Sequence, residues 1–288
     1  MGGLTAHYFC MAKFSVTRTL RATKANPGIR SAYRKQIDAM MKELRDDVQA
    51  RILELYDDLE WRIDPNYAED AWFSPAERFI KMLAPVIDRW TKRASKAAES
   101  IANRFVGSVT KGVENSRRQS LKDAGILTKI VRSHRTKEAY KALVFENVQL
   151  ITSIPKEYLE GVRYKVLDCI SRGADREALQ KDLQYSYGLS EKKARTIAND
   201  QINKATQAMA QATDRDLGIT EGIWVHVPGK FTSRPTHVAM DGKKFPLSEG
   251  LFDENKYVMK KVKPGELPNC ACVYRSVLPD KWGKSTPD

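Results

Sequence analysis

The sequence predicts an α+β protein that is predominantly α-helical: long N-terminal helices, then a three-helix segment and a small β-rich C-terminal module. Two observations predict this class. Apolar residues recur at steps of three and four over most of the chain up to Leu217, and after Gly218 the pattern changes to short β-branched and aromatic runs. The composition is that of a globular protein, with 42% hydrophobic and 30% charged residues.

The N-terminal half is expected to consist of an arm and a helical domain. Residues 1–30 are basic and irregular, as in arms that order on a partner. Residues 31–146 form the helical domain, whose first helix is predicted from about Ser31 to Ile63. A second helix is predicted after Ser74-Pro75-Ala76-Glu77, where serine suits the cap, proline the first turn and glutamate the capping box. A further helical pattern covers Thr136–Leu150.

The C-terminal half, residues 147–278, is expected to form a second domain. Its helices are predicted over residues 154–217, where Ile154-Pro155 starts the first of them and Gly188 ends a short one. The β-rich module is predicted over residues 222–277, beginning with the run Ile223–Val227. Residues 279–288 are expected to be a flexible tail.

The chain carries a formal net charge of +13, with the excess concentrated in the N-terminal half. Such a surplus favours a polyanionic partner such as nucleic acid, because basic side chains release condensed counterions from the phosphates. The start of the chain lacks the apolar run of a secretory signal, and no stretch approaches the roughly 18–20 apolar residues of a membrane span, so a cytoplasmic origin is expected. The residues expected to face DNA are Arg117, Arg118, Lys122, Lys129, Arg132 and Arg135.

The β-rich module contains the residue types of a zinc site. His237, Cys270 and Cys272 are zinc-ligand types, and Asp241 or His226 would supply the fourth ligand that a structural site requires. The two cysteines are too close in sequence for a relaxed disulfide with each other. In the alternative interpretation both cysteines are simply buried and the histidine bonds to Asp241 or to a backbone carbonyl.

The same residues also permit two catalytic interpretations. Cys270 could be a nucleophile with His237 as its base and Asp241 orienting that base. Alternatively, a metal held by His237 and Asp241 could hydrolyse a phosphodiester. The spacing fixes no mutual geometry and the module has no second acidic cluster, so we prefer a non-enzymatic protein. A metal-dependent nuclease or hydrolase is the alternative.

From about Asn147 to Val277 the order of motifs resembles the phage Mu F-like family of minor head proteins, also called head morphogenesis proteins. The resemblance rests on Lys193–Gln201, Trp224, Arg234-Pro235-Thr236-His237, Asp241–Phe245 and Pro268-Asn269-Cys270-Ala271-Cys272. Two positions depart from the family pattern, because Asn199 and Ala271 stand where relatives often have arginine. The matching positions are Arg195, Asp200, Gln201, Trp224, Arg234, His237, Asp241, Gly242, Asn269, Cys270 and Cys272.

The resemblance implies a structural virion protein of a tailed double-stranded DNA phage. Such a protein would be located in the phage head at the portal vertex, and in the host cytoplasm during assembly. Its implied partners are the portal protein, capsid or scaffold components and packaged DNA, with several copies around the portal, and its implied role is in head assembly, DNA packaging or delivery. A DNA-binding packaging accessory protein without a portal role is a further alternative.

Overall fold

The computed structural model describes residues 17–58, 75–173, 176–228, 232–255 and 258–282. Four long helices make up most of this described chain. They are α1 (Pro27–Asp58), α2 (Pro75–Asp123), α3 (His134–Ser171) and α4 (Arg176–Asp216).

The helices form because each has an apolar stripe that another helix covers. In α1 the stripe includes Tyr33, Ile37, Leu44 and Val48, all buried and spaced four or seven residues apart. The ring of Tyr33 stacks on that of Phe105 in α2 with centroids 4.0 Å apart. The core is therefore shared between the N-terminal helices and the pair α3–α4, against which both α1 and α2 pack.

The helix boundaries differ from the expected ones at two internal positions. Helix α3 continues through Pro155, and α4 continues through Gly188. Pro155 is tolerated because its neighbours Ile154 and Tyr158 are buried, so tertiary packing outweighs the one hydrogen bond that proline cannot donate. The expected domain boundary at residue 147 thus lies inside a continuous helix, and the segment 154–217 contains the end of α3 and the whole of α4.

The C-terminal module consists of two small antiparallel sheets and two short helices. The strands are β1 (Glu221–Val225), β2 (Lys244–Pro246), β3 (Leu251–Asn255), β4 (Val258–Val262) and β5 (Val273–Ser276). The short helices are α5 (Pro235–Ala239) and a 3-10 turn (Asp280–Trp282). Strand β1 is the middle of the order β2-β1-β5, with Gly222 opposite Phe245 and Ser276, while β3 and β4 form a separate hairpin.

The described part of the expected arm is packed against this module. Leu20 is buried and donates its backbone N–H to the Ser276 carbonyl at 2.9 Å, while the Leu278 N–H donates to the Arg18 carbonyl at 3.0 Å. The Arg18 guanidinium also donates to the Trp282 carbonyl, which fixes the start of the expected tail. Residues 17–26 form no helix and have only a β-bridge at Thr19, as expected for an irregular arm, while these bonds hold Arg18, Leu20 and Trp282 against the folded chain. Residues 27–30 of the expected arm are instead the start of α1. Residues 1–16 and 283–288 lie outside the described residues.

The expected fold class, α+β with helices predominating and a small C-terminal β module, is confirmed. Among the helices that the structure describes, none has an apolar stretch long enough to cross a bilayer.

Candidate metal centre

The β module brings three ligand-type side chains to one buried point. His237 lies on α5, whose first residue is Pro235, and the two cysteines lie on the loop that leads into β5. The exposed fractions of His237, Cys270 and Cys272 are only 2%, 4% and 2%. Their ligand atoms all lie within 4.8 Å of one another. The sequence-based grouping of these three residues is thus reproduced in space.

The distances match the edges of a tetrahedral zinc site. His237 Nδ1 lies 3.4 Å from Cys270 Sγ and 3.8 Å from Cys272 Sγ. Zinc bonds of about 2.0 Å to nitrogen and about 2.3 Å to sulfur, at tetrahedral angles, place such atoms about 3.6 Å apart. Two soft sulfurs and one imidazole nitrogen are also the donor set that zinc prefers over harder cations. The residues therefore fit this metal in type and spacing.

Two further contacts fix the orientation of the His237 ring. Its Nε2 lies 3.2 Å from Asp253 Oδ2 on β3, and this carboxylate is fully buried. The ring also meets Trp224 edge-on, with centroids 5.3 Å apart. A carboxylate on the nitrogen that does not bind the metal is the usual outer partner of a metal-ligating histidine, since it fixes the tautomer and the ring orientation.

The two thiols differ strongly in acidity. A hydrogen bond from Cys270 is the largest influence on Cys272, and contacts with His237 and His226 add to it, so that the pKa of Cys272 falls to about 3 despite burial. The pKa of Cys270 rises above its usual range, because it donates to Cys272 and is buried. One deprotonated sulfur, the form that binds metal, is therefore already favoured.

His226 and Asp241 differ in their position relative to this group. His226, directly after β1, has its Nδ1 3.5 Å from Cys272 Sγ, although it falls outside the tight group of three. Asp241 is exposed and accepts a hydrogen bond from the His226 backbone N–H at 2.8 Å. The structure therefore does not bring Asp241 into the ligand group. It instead bonds to the backbone of His226, whose ring lies beside Cys272.

The cysteine loop is tied to the rest of the fold by family-motif residues. Asn269 has a left-handed backbone with φ of 58°, and its N–H donates to Asp200 on α4 at 2.8 Å. The Arg234 guanidinium donates to the Pro268 carbonyl at 2.9 Å. Gly242, with φ of 75°, donates its N–H to the Trp224 carbonyl. The first two bonds position the cysteine loop from α4 and from the start of α5, and the third ties the loop after α5 to β1.

Comparison with known families covers this same region. Residues 160–275 match the model of the family described as Phage Mu protein F like protein. Over these residues the chain is similar to the phage Mu F-like family. The match begins within α3, ends in β5 and includes every residue of the metal centre, so the resemblance predicted from the sequence is confirmed over these residues.

A protein of Haemophilus influenzae, described as uncharacterized, extends the similarity towards the N-terminus. It is 30% identical over 202 residues, which cover 69% of this chain and 43% of that protein. This chain therefore spans less than half the length of that relative. No solved structure matches.

A buried ion pair links the segment 160–275, called the Mu F-like domain below, to α2. Arg117 of α2 donates to both carboxylate oxygens of Asp214 on α4, at 2.6 and 2.7 Å, and both side chains are 0% exposed. Tyr274 and Ser276 of β5 donate to the same carboxylate at 2.7 and 2.6 Å. Burial works to lower the pKa of Arg117, but Asp214 raises it above the ordinary arginine value.

Arg117 was expected to face DNA, and this expectation is wrong. Its guanidinium is enclosed by Asp214, Tyr274 and the Arg21 carbonyl, so it cannot reach a phosphate. The physical reason is that a buried arginine requires a matched acceptor, and Asp214 supplies one from another helix.

The other basic residues expected to face DNA lie on the surface around the end of α2 and the start of α3. Arg118, Lys122 and Lys129 are exposed. Arg132 instead pairs with Glu114 at 2.5 Å, and Arg135 lies 4.0 Å from Asp216. Two of the five exposed cations are thus partly neutralised.

A second polar network joins the Mu F-like domain to the N-terminal helices. Gln201 is buried on α4 and accepts a hydrogen bond from Asn147 at 3.2 Å. Asn147 in turn accepts one from the Tyr33 hydroxyl of α1 at 2.7 Å. Arg195, by contrast, is exposed on α4.

Sequence reasoning missed Asp253, the buried partner of His237. An aspartate between the exposed residues Phe252 and Glu254 looks like an ordinary surface residue of a strand until the position of His237 is known.

Proposed function

We propose that this protein is a structural minor capsid protein acting in head morphogenesis of a tailed double-stranded DNA phage. The similarity of residues 160–275 to the phage Mu F-like family supports this assignment. Within it, we place several copies at the portal vertex of the virion, with the portal and other head components as partners. Assembly in the host cytoplasm and a role in DNA packaging or delivery belong to the same proposal.

The burial of the His237–Cys270–Cys272 group is the observation that carries the structural interpretation. A nucleophile or hydrolytic metal must meet its substrate, yet each of these side chains is at most 4% exposed. Residues on α5 and the β5 loop converge there, and His237 extends the group to Asp253 on β3. We therefore propose that His237, Cys270 and Cys272, with His226 as fourth ligand, hold zinc. When bound, the ion contributes free energy of folding to a module with a small core.

Co-assembly tests the head role. The chain is expressed with its phage's portal, scaffold and major capsid proteins, and the particles are separated on a gradient. We expect the protein to sediment with portal-containing heads and to be lost from heads assembled without portal. Recovery only with free tails, or equal incorporation with and without portal, would contradict the portal assignment.

The enzymatic alternative is tested on the same purified protein. Duplex and single-stranded DNA are incubated with the protein in zinc, magnesium or chelator, alongside a His237→Ala variant. We expect no cleavage above the buffer control in any condition. Metal-stimulated cleavage that disappears in the variant would favour a nuclease.

A further inference from the structure

A basic cleft opens between α3, α4 and the loop that joins β4 to the cysteine loop. It has a volume of about 480 Å³. The charged residues around it are Arg135, Lys204, Arg215, Lys263 and Glu266. We use the name basic cleft for this set together with Gln211.

The floor of the basic cleft follows from the spacing of one helix face. Lys204, Ala208, Gln211 and Arg215 follow one another at steps of four, three and four, which places them on the same side of α4. Ala208 and the facing Ala139 of α3 are small and leave the space open between the polar side chains. Lys263, in the loop that follows β4, lines the side of the cleft that the β module forms.

The acids around the basic cleft already have partners. Glu146 pairs with Lys204 at 2.6 Å, and Glu266 pairs with Lys260 at 2.8 Å. Asp216, the acid nearest Arg135, accepts hydrogen bonds from Ser133 and Thr136. These contacts leave two positive charges, those of Arg215 and Lys263, without an ion pair within the part of the chain that the structure describes.

Arg215 and Lys263 are brought together although they repel each other. Both are partly buried, and the pKa of Lys263 is lowered first by burial and further by Arg215, with Glu266 opposing the change. Two such cations beside one concave surface are stabilised when an anion lies between them.

Gln211 gives an independent sign of a ligand. Its side chain is only 7% exposed and lines the cleft. Among the described residues no hydrogen bond to its amide is formed, and the amide atoms are not fully enclosed, so they are open to the cleft. An anion in the cleft would accept from its NH₂ group.

We propose that the basic cleft binds a phosphate group, held by Arg215 and Lys263 with Gln211 donating a hydrogen bond. An arginine fork, a lysine point charge and an amide donor are the groups that recognise phosphoryl oxygens. The phosphate comes from a DNA backbone or from a free phosphate ion. The site does not depend on the proposed head function, since either can fail while the other stands.

The test compares two charge-matched double variants of the full chain. Arg215→Gln with Lys263→Gln removes the two unpaired charges of the basic cleft, and Lys96→Gln with Lys192→Gln removes two exposed charges elsewhere. Binding of a short DNA duplex is measured as a function of salt, and binding of inorganic phosphate is measured by calorimetry. Thermal unfolding of each variant shows that it is folded. We expect the cleft variant to be at least as stable as the wild type, since the substitutions remove the repulsion between Arg215 and Lys263.

For a DNA source, we expect the cleft variant to bind duplex at least about tenfold more weakly, with the slope of log K against log salt reduced by about 0.9 for the one lost phosphate contact. The control variant should keep most of its affinity. Phosphate binding by the wild type that is lost only in the cleft variant, without duplex binding, would identify free phosphate as the source. Absence of both kinds of binding, or equal losses in the two variants, would overturn the proposal.

Discussion

Replacing Arg117 or Asp214 should destabilise the whole protein, because their ion pair joins three parts of the fold. Arg117→Met leaves the carboxylate with Tyr274 and Ser276 as donors, so we expect a loss of about 3 kcal/mol in the free energy of unfolding. Asp214→Leu leaves a buried guanidinium with one backbone acceptor from Arg21 and a contact with the Tyr274 hydroxyl, so we expect a loss of about 5 kcal/mol.

The double variant Arg117→Met with Asp214→Leu tests whether the two charges stabilise the protein as a pair or independently of each other. Removing both charges leaves the Tyr274 and Ser276 hydroxyls without their acceptor and the Arg21 carbonyl without its donor, at about 1 kcal/mol each, so the loss should be about 3 kcal/mol. The sum of the two single losses would be about 8 kcal/mol, so strong non-additivity is expected. The assay is urea unfolding followed by circular dichroism, with Arg118→Met as the matched surface control. A double variant as unstable as that sum, or an Arg117→Met loss below about 1 kcal/mol, would refute this account.

Three further outcomes are expected. Elemental analysis should find about one zinc per chain, chelation should lower the melting temperature, and a Cys270→Ser variant should lack both the zinc and the chelator effect; a full-length protein with no bound zinc would contradict the metal centre. Burial would raise the pKa of Asp216, but hydrogen bonds from Ser133 and Thr136 outweigh it and lower that pKa. The stabilisation from Asp216 is therefore present above the ordinary carboxyl pKa and is lost as pH falls through the pKa of the folded state. In an Asp216→Asn variant, the free energy of unfolding should depend less on pH in this acidic range. Gly250→Ala should cost at least about 2 kcal/mol in chemical denaturation, because φ is +87° and the added carbon would lie 2.1 Å from the Val262 carbonyl oxygen; an unchanged midpoint would count against this local geometry.

The sequence predicted those parts of the fold that depend on local pattern. The change from helical spacing to β-rich runs after Gly218 predicted the fold class, and Pro75 predicted the start of α2. The continuity of α3 through Pro155 and of α4 through Gly188 was not predicted, because both residues are local breakers whose effect is outweighed by contacts with other helices.

The candidate metal site could likewise be predicted only where it depends on the local sequence. Residue type alone grouped His237, Cys270 and Cys272, since few other functions require these ligands together. Their outer partner Asp253 depends on where the β3–β4 hairpin lies, and the sequence does not contain that information locally. Arg117 was misplaced because a basic residue is exposed by default, and its acceptor is 97 residues away.

The pairing of Leu20 with Ser276 has a consequence for synthesis on the ribosome. The segment around Thr19 and Leu20 is made early, yet its hydrogen-bonding partners in β5 and Val277 are among the last of the described residues to be translated. Its backbone groups therefore remain without their native partners until β5 has been translated. The helices can pair as they emerge, but this contact closes only after β5 has left the ribosome, which makes it a late step in folding of the described chain.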